Sequence, residues 1–114
     1  MKSRTVSVIL LLAALVAFSA AARAGPLAYA PSGDSVKVVD TATNTTVATI
    51  GGFTAANDVS FSPDGSRAYV LDGVSGVKVI NTATNSITAT IPTGGLVSSI
   101  SVSPDGSRAY VTNQ

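Results

Sequence analysis

The sequence contains no cysteine, no histidine and no tryptophan, and all six of its acids are aspartate. Each absence closes a class of chemistry. Without Cys or His, the usual ligand sets for zinc, haem or iron–sulfur clusters cannot be assembled. A Ser-His-Asp triad lacks its base, and thiol catalysis lacks its sulfur. Disulfides are impossible. Aromatic residues make up 5% and charged residues 11% of the chain, and a net charge of +1 gives no basic footprint for nucleic acid. At 114 residues there is room for one small domain. No catalytic, cofactor-binding or metal-binding residue is assigned from the sequence.

What is present falls into two parts. Residues 1–24 carry Lys2 and Arg4, then an apolar run from Val6 to Phe18, then small residues ending in Ala22-Arg23-Ala24. This is the pattern of a secretory signal peptide with an Ala-x-Ala cleavage site. The rival reading is a membrane anchor, because the uncharged stretch from Thr5 to Ala22 is 18 residues long, at the short end of a membrane span. The small-residue tail favours cleavage after Ala24. The mature chain would carry four bases (Lys37, Arg67, Lys78, Arg108) against six Asp, a net charge of 4 − 6 = −2. The positive charge thus belongs to the leader, and the expected location is secreted, periplasmic or cell-surface.

Residues 25–114 have the composition of β-structure. Val, Ser and Thr occur 12 times each there, whereas Leu occurs three times and Glu not at all. β-branched residues suit a pleated surface, and the residues that favour helix are scarce. Eight runs with strand character are separated by Gly, Pro, Asn and Asp clusters: 36–39, 45–50, 59–61, 68–71, 77–80, 87–91, 100–102 and 109–112.

The chain also repeats itself. Residues 36–72 align with 77–113 at an offset of 41 without gaps, and 20 of the 37 pairs are identical. Ser-Pro-Asp-Gly-Ser-Arg-Ala-Tyr-Val stands at 62–70 and again at 103–111, and Thr-Ala-Thr-Asn at 41–44 and 82–85. A period of 41 with strand composition fits one four-stranded propeller blade per repeat. With Tyr110-Val111-Thr112-Asn113 and its first-copy counterpart Tyr69-Val70-Leu71-Asp72, the repeat resembles the YVTN β-propeller family, relatives of the WD40-type propellers. The resemblance covers 27–114 and implies an all-β partial propeller of about two four-stranded antiparallel blades. Blade 1 would be partial (27–50), blade 2 complete (57–91) and blade 3 partial (98–112). The expected strand count is nine.

Most of the repeated residues have structural roles. Pro63, Asp64 and Gly65, and again Pro104, Asp105 and Gly106, suit a type I turn followed by a left-handed glycine. Asp40 and Asn81 can accept from backbone N–H groups two or three residues on, and Asn44 and Asn85 tolerate a left-handed backbone. Gly51-Gly52 and Gly94-Gly95 read as loop formers between blades. Tyr69 and Tyr110 are expected to bury their rings between blades, and Arg67 and Arg108 to pair with an Asp or lie exposed. Non-repeated residues are the better candidates for a site: Phe53, Asn57, Asp58, Asp72 and the 72–76 loop, with Asn57 and Asp58 as the local polar pair.

With little more than two repeats, the array falls short of the four to eight blades of a closed ring. The expectation is therefore a fragment completed by further blades in cis, or self-association into a ring. The resemblance implies a scaffold that binds protein or glycan at the cell envelope, with no nucleic-acid partner and no membrane contact after cleavage. The alternatives are part of an exported propeller enzyme, dehydrogenase- or lactonase-like, and a surface-layer component.

Overall fold

The computed structural model describes residues 26–113. The expected leader lies outside the described residues. Seven strands follow in order: β1 (Leu27–Asp40), β2 (Thr45–Phe61), β3 (Arg67–Asp72), β4 (Gly76–Asn81), β5 (Ser86–Ile91), β6 (Val97–Val102) and β7 (Ala109–Asn113). They form a five-stranded sheet in the order β1-β2-β3-β4-β5 and a two-stranded sheet of β6 and β7. Every pairing is antiparallel.

Seven strands accommodate the nine expected because the first two each hold two. β1 has 14 residues, enough to extend about 46 Å. Yet the Thr41 N–H donates to the Pro26 carbonyl at 3.2 Å, so the two ends of β1 meet. The chain doubles back near Gly33. In β2, residues 45–51 pair with β1 and residues 56–61 pair with β3. The outer strand of one blade thus runs into the inner strand of the next. The loop expected at Gly51-Gly52 falls inside β2 instead, with Gly52 at φ +99° supplying a conformation that suits glycine. Pairing of Gly33 with Ala56, and capture of the Thr54 and Ala55 amides by Asp72, fix the path of the crossing.

The turns form as their residue types dictate. In the first Ser-Pro-Asp-Gly turn the Gly65 N–H donates to the Ser62 carbonyl at 2.9 Å, and Gly106 repeats this with Ser103 at 2.9 Å. Among the described residues, Asn44 and Asn85 are the non-glycine residues with positive φ, 57° and 54°. The Asp40 and Asn81 side chains accept from the N–H of Ala42 and Ala83 at 2.8 and 2.9 Å. Aspartate and asparagine interchange because only a carbonyl-type oxygen is needed.

The core has two layers, one on each side of the middle blade. Ala68 and Val70 of β3 face a cluster with Tyr29, Val36, Val38, Ile50, Phe53 and Ile80. The alternating residues Tyr69 and Leu71 face a second cluster with Val77, Val97 and Ile100. Both faces of β3 are buried, as a blade between two neighbours requires. Tyr69 packs against the next blade as expected. Tyr110, its counterpart, is 62% exposed, because nothing among the described residues packs on that side of β7. In the first layer the Tyr29 ring meets Phe61 edge-on at 5.1 Å, and its hydroxyl donates to Asn85 at 2.7 Å. Burial pushes the Tyr29 pKa upward.

Candidate functional site

Of the sequence candidates, Asp72 is the most deeply placed. It ends β3 and is fully buried. Its Oδ1 accepts from Ala55 N at 2.7 Å and its Oδ2 from Thr54 N at 3.0 Å, with the Thr54 hydroxyl bridging both oxygens. Lys78 Nζ stands 3.9 Å away, donates to the Gly52 carbonyl at 2.7 Å and lies 5.7 Å from the centroid of the Phe53 ring. Burial pushes the Asp72 pKa up; the Thr54 and Ala55 donors and the Lys78 charge outweigh it, and the net shift is downward. All these partners lie in the crossing of β2 or on β4. The cluster binds the blade-to-blade connection to the body of the blade.

Asn57 and Asp58 do not converge on one site. Between Ala56 and Asp58 the β2–β3 register slips, leaving Asn57 as the extra residue of a β-bulge. The same slip recurs between Val97 and Ser99, one repeat later. The bulge leaves Asn57 exposed and sends Asp58 toward the neighbouring blade. Asp58 Oδ1 accepts from Val59 N at 2.9 Å and Oδ2 from Ile100 N at 3.1 Å. This ties the inner strand of one blade to that of the next. The bulge is the signal that sequence reading missed.

Each turn carboxylate is equally engaged. Asp64 Oδ1 accepts from Ser62 Oγ, Ser66 N and Ser66 Oγ at 2.7, 3.0 and 2.8 Å. Asp105 Oδ1 repeats the set with Ser103 and Ser107 at 2.7, 3.0 and 2.8 Å. The Ser66 amide, with the Ser62 and Ser66 hydroxyls, lowers the Asp64 pKa to about 2. The Ser103 hydroxyl, with the Ser107 donors, lowers Asp105 to about 2. Five of the six acids (Asp40, Asp58, Asp64, Asp72 and Asp105) therefore accept at least one backbone N–H. Among the described residues no group of three or more potential metal ligands comes together.

Besides a cleft of about 450 Å³ along Ser66, Arg67, Asn81, Ala83 and Thr88, two clefts mark the surface of the described residues. One, of about 430 Å³, is lined mainly by Leu27, Tyr29, Phe61 and the 64–65 and 82–83 turns. The other, of about 230 Å³, lies between the two Ser-Pro-Asp-Gly turns and includes Asp64, Arg67, Tyr69 and Asp105. Arg67 and Arg108 are exposed. The ion pair found among the described residues is Lys78–Asp72.

No protein-family description matches the sequence, and no curated protein matches it. Solved structures do. The chain is similar to Kuenenia stuttgartiensis hydrazine synthase, with a TM-score of 0.73 and 28% identity over 80% of this chain and 27% of that one. It is also similar to the dihydro-heme d1 dehydrogenase NirN in complex with DHE, with a TM-score of 0.66 and 25% identity over 76% of this chain and 19% of that one. The chain thus spans between a fifth and a quarter or so of the length of these structures. Both contain β-propellers, and the described residues form part of one.

Proposed function

We propose that this chain is an exported β-propeller repeat module that binds protein or glycan at the cell envelope. The observation that carries this reading is how the acids are used. Five of six spend a carboxylate oxygen on the backbone of their own fold. The repeated residues therefore build blades, and the exposed turns and clefts between blades are the parts left to meet a partner. The leader pattern and the YVTN-type repeat support export. The test is expression of the full chain with its own leader in a bacterial host. The exported product should begin at Gly25 and be retained by envelope glycan or envelope protein fractions without turning over substrate. An intact Met1 in the membrane fraction contradicts cleavage after Ala24.

The second reading is part of an exported propeller enzyme, and the two matched structures favour it, since both are named as enzymes. Under this reading the chain supplies blades to an active site whose reacting groups come from elsewhere. Dehydrogenase or lactonase turnover by an assembly containing the chain, lost when the chain is removed, would establish it.

A further inference from the structure

The cleft between the two Ser-Pro-Asp-Gly turns combines three kinds of group. Asp64 and Asp105 each gather three intramolecular donors on Oδ1, and their Oδ2 atoms accept none among the described residues. The Arg67 backbone is engaged with Ser62, at 3.0 Å through its N–H, while its guanidinium joins no ion pair among the described residues. Tyr69 is half-buried against the next blade and lines the same cleft. At about 230 Å³ the space is smaller than the roughly 300–1,000 Å³ of pockets that enclose drug-sized ligands. It takes one small ring.

The ligand that fits must donate to two carboxylate oxygens, accept from a guanidinium and offer an apolar face to an aromatic ring. A bare divalent cation would satisfy the carboxylates and be repelled by Arg67. A phosphate or sulfate would suit Arg67 and be repelled by two carboxylates that stay charged at neutral pH. A pyranose meets all three demands, since its adjacent hydroxyls both donate and accept and its C–H face packs on aromatic rings. We infer that this cleft is a saccharide subsite, in which Asp64 and Asp105 accept from adjacent hydroxyls through Oδ2, Arg67 donates to a sugar oxygen and Tyr69 packs against the ring. The inference rests on the binding-module reading and names the class of ligand for it.

The site can be altered without altering the turn. Asp105→Asn keeps an Oδ1 acceptor for Ser103 and Ser107 and turns Oδ2 into an amide donor. Arg67→Met keeps the backbone bonds and the stem and removes the charge. The experiment is a titration of the isotope-labelled full chain with methyl glucoside, methyl galactoside and N-acetylglucosamine, followed by amide NMR shifts. At least one sugar should give saturable shifts at Ser66, Arg67 and Gly106, with a Kd of about 1 mM or tighter. Asp105→Asn and Arg67→Met should each weaken it about tenfold. Arg108→Met, at the same position of the next repeat and outside the cleft, should leave it unchanged.

Absence of saturable shifts with all three sugars overturns the subsite and leaves the binding-module reading standing. So does binding of calcium alone that is insensitive to Arg67→Met, or tighter binding of free glycine as a zwitterion. Substrate turnover by the chain would instead overturn the binding-module reading. The two failures are therefore distinguishable.

Discussion

At the scale of single residues, aspartate takes on roles that differ only by context. Asp64 and Asp105 organise turns at the surface, where removing a hydrogen-bond acceptor disturbs one loop, and the buried Asp40 caps another turn from beneath. Asp72 does the same for a buried crossing. Asp72→Ala leaves two amides and the Lys78 ammonium facing a cavity. It should cost about 3 kcal/mol, read as a fall in the denaturant midpoint. Asp72→Asn, which keeps one acceptor, should cost less. Gly106 has φ +75°, and a side chain there would bring its Cβ to 3.0 Å from Pro63 of the preceding turn. Gly106→Val should therefore destabilise by roughly 1–2 kcal/mol or more. Ser107→Ala loses one exposed hydroxyl bond to Asp105, keeps the backbone bond and should cost only about 0.5 kcal/mol. Equal melting shifts for the two would contradict the turn assignment.

The turn carboxylates also set an acid limit. Their pKa values are lowered on folding from 3.8 to about 2. Their contribution is thus fully present above the unfolded value and is lost as the pH falls from 3.8 through about 2. In melts across that range, the double variant Asp64→Asn with Asp105→Asn should lose less stability than the wild type.

At the scale of elements, turns and most short strands were legible, and the joining of strands within β1 and β2 was not. Turn residues act locally: Pro fixes φ, Asp and Asn bond two residues ahead, and glycine or asparagine takes the left-handed position. The neighbours one repeat away therefore change little. Strand limits depend on partners. Nothing in Gly51-Gly52 says that one strand runs on through it; Asp72, some 20 residues later, holds the residues that follow. The bulges were hidden for the same reason, since register is a property of two strands. The slips between Val38 and Val39 and between Val79 and Ile80 show that the repeat copies its irregularities as well as its strands. Gly76 belongs at this scale. It starts β4 with φ +105°, and a Cβ there would collide with the Ile91 carbonyl of the paired β5. Gly76→Ala should cost about 1–3 kcal/mol and expose the β5 amides to hydrogen exchange before the rest of the sheet.

At the scale of the molecule, the period of 41 gave the architecture, because stacking copies of one half-buried unit permits few arrangements. Tyr69 shows the consequence: it lies in a hydrophobic layer with Val97 and Ile100 of the following blade. The site was less legible. Asn57, Asp58 and Asp72 stood out for differing between the two copies of the repeat, and sequence alone does not reveal whether a carboxylate faces solvent or its own backbone. The structure turns Asp58 and Asp72 inward and leaves the repeated pair, Asp64 and Asp105, lining an open cleft with one oxygen each to spare.

The central claim is that Asp58 and Asp72 hold blades together and are not groups held ready for a ligand. Amide hydrogen exchange at Thr54, Ala55 and Ile100 tests it most directly, because those N–H groups donate to Asp72 and Asp58. In the wild-type chain all three should be protected. Asp72→Ala should release Thr54 and Ala55, and Asp58→Ala should release Ile100, while the centre of the β3–β4 pairing stays protected. Unchanged protection at these three amides in the two variants would contradict the account and return both carboxylates to the list of candidate ligand-binding groups.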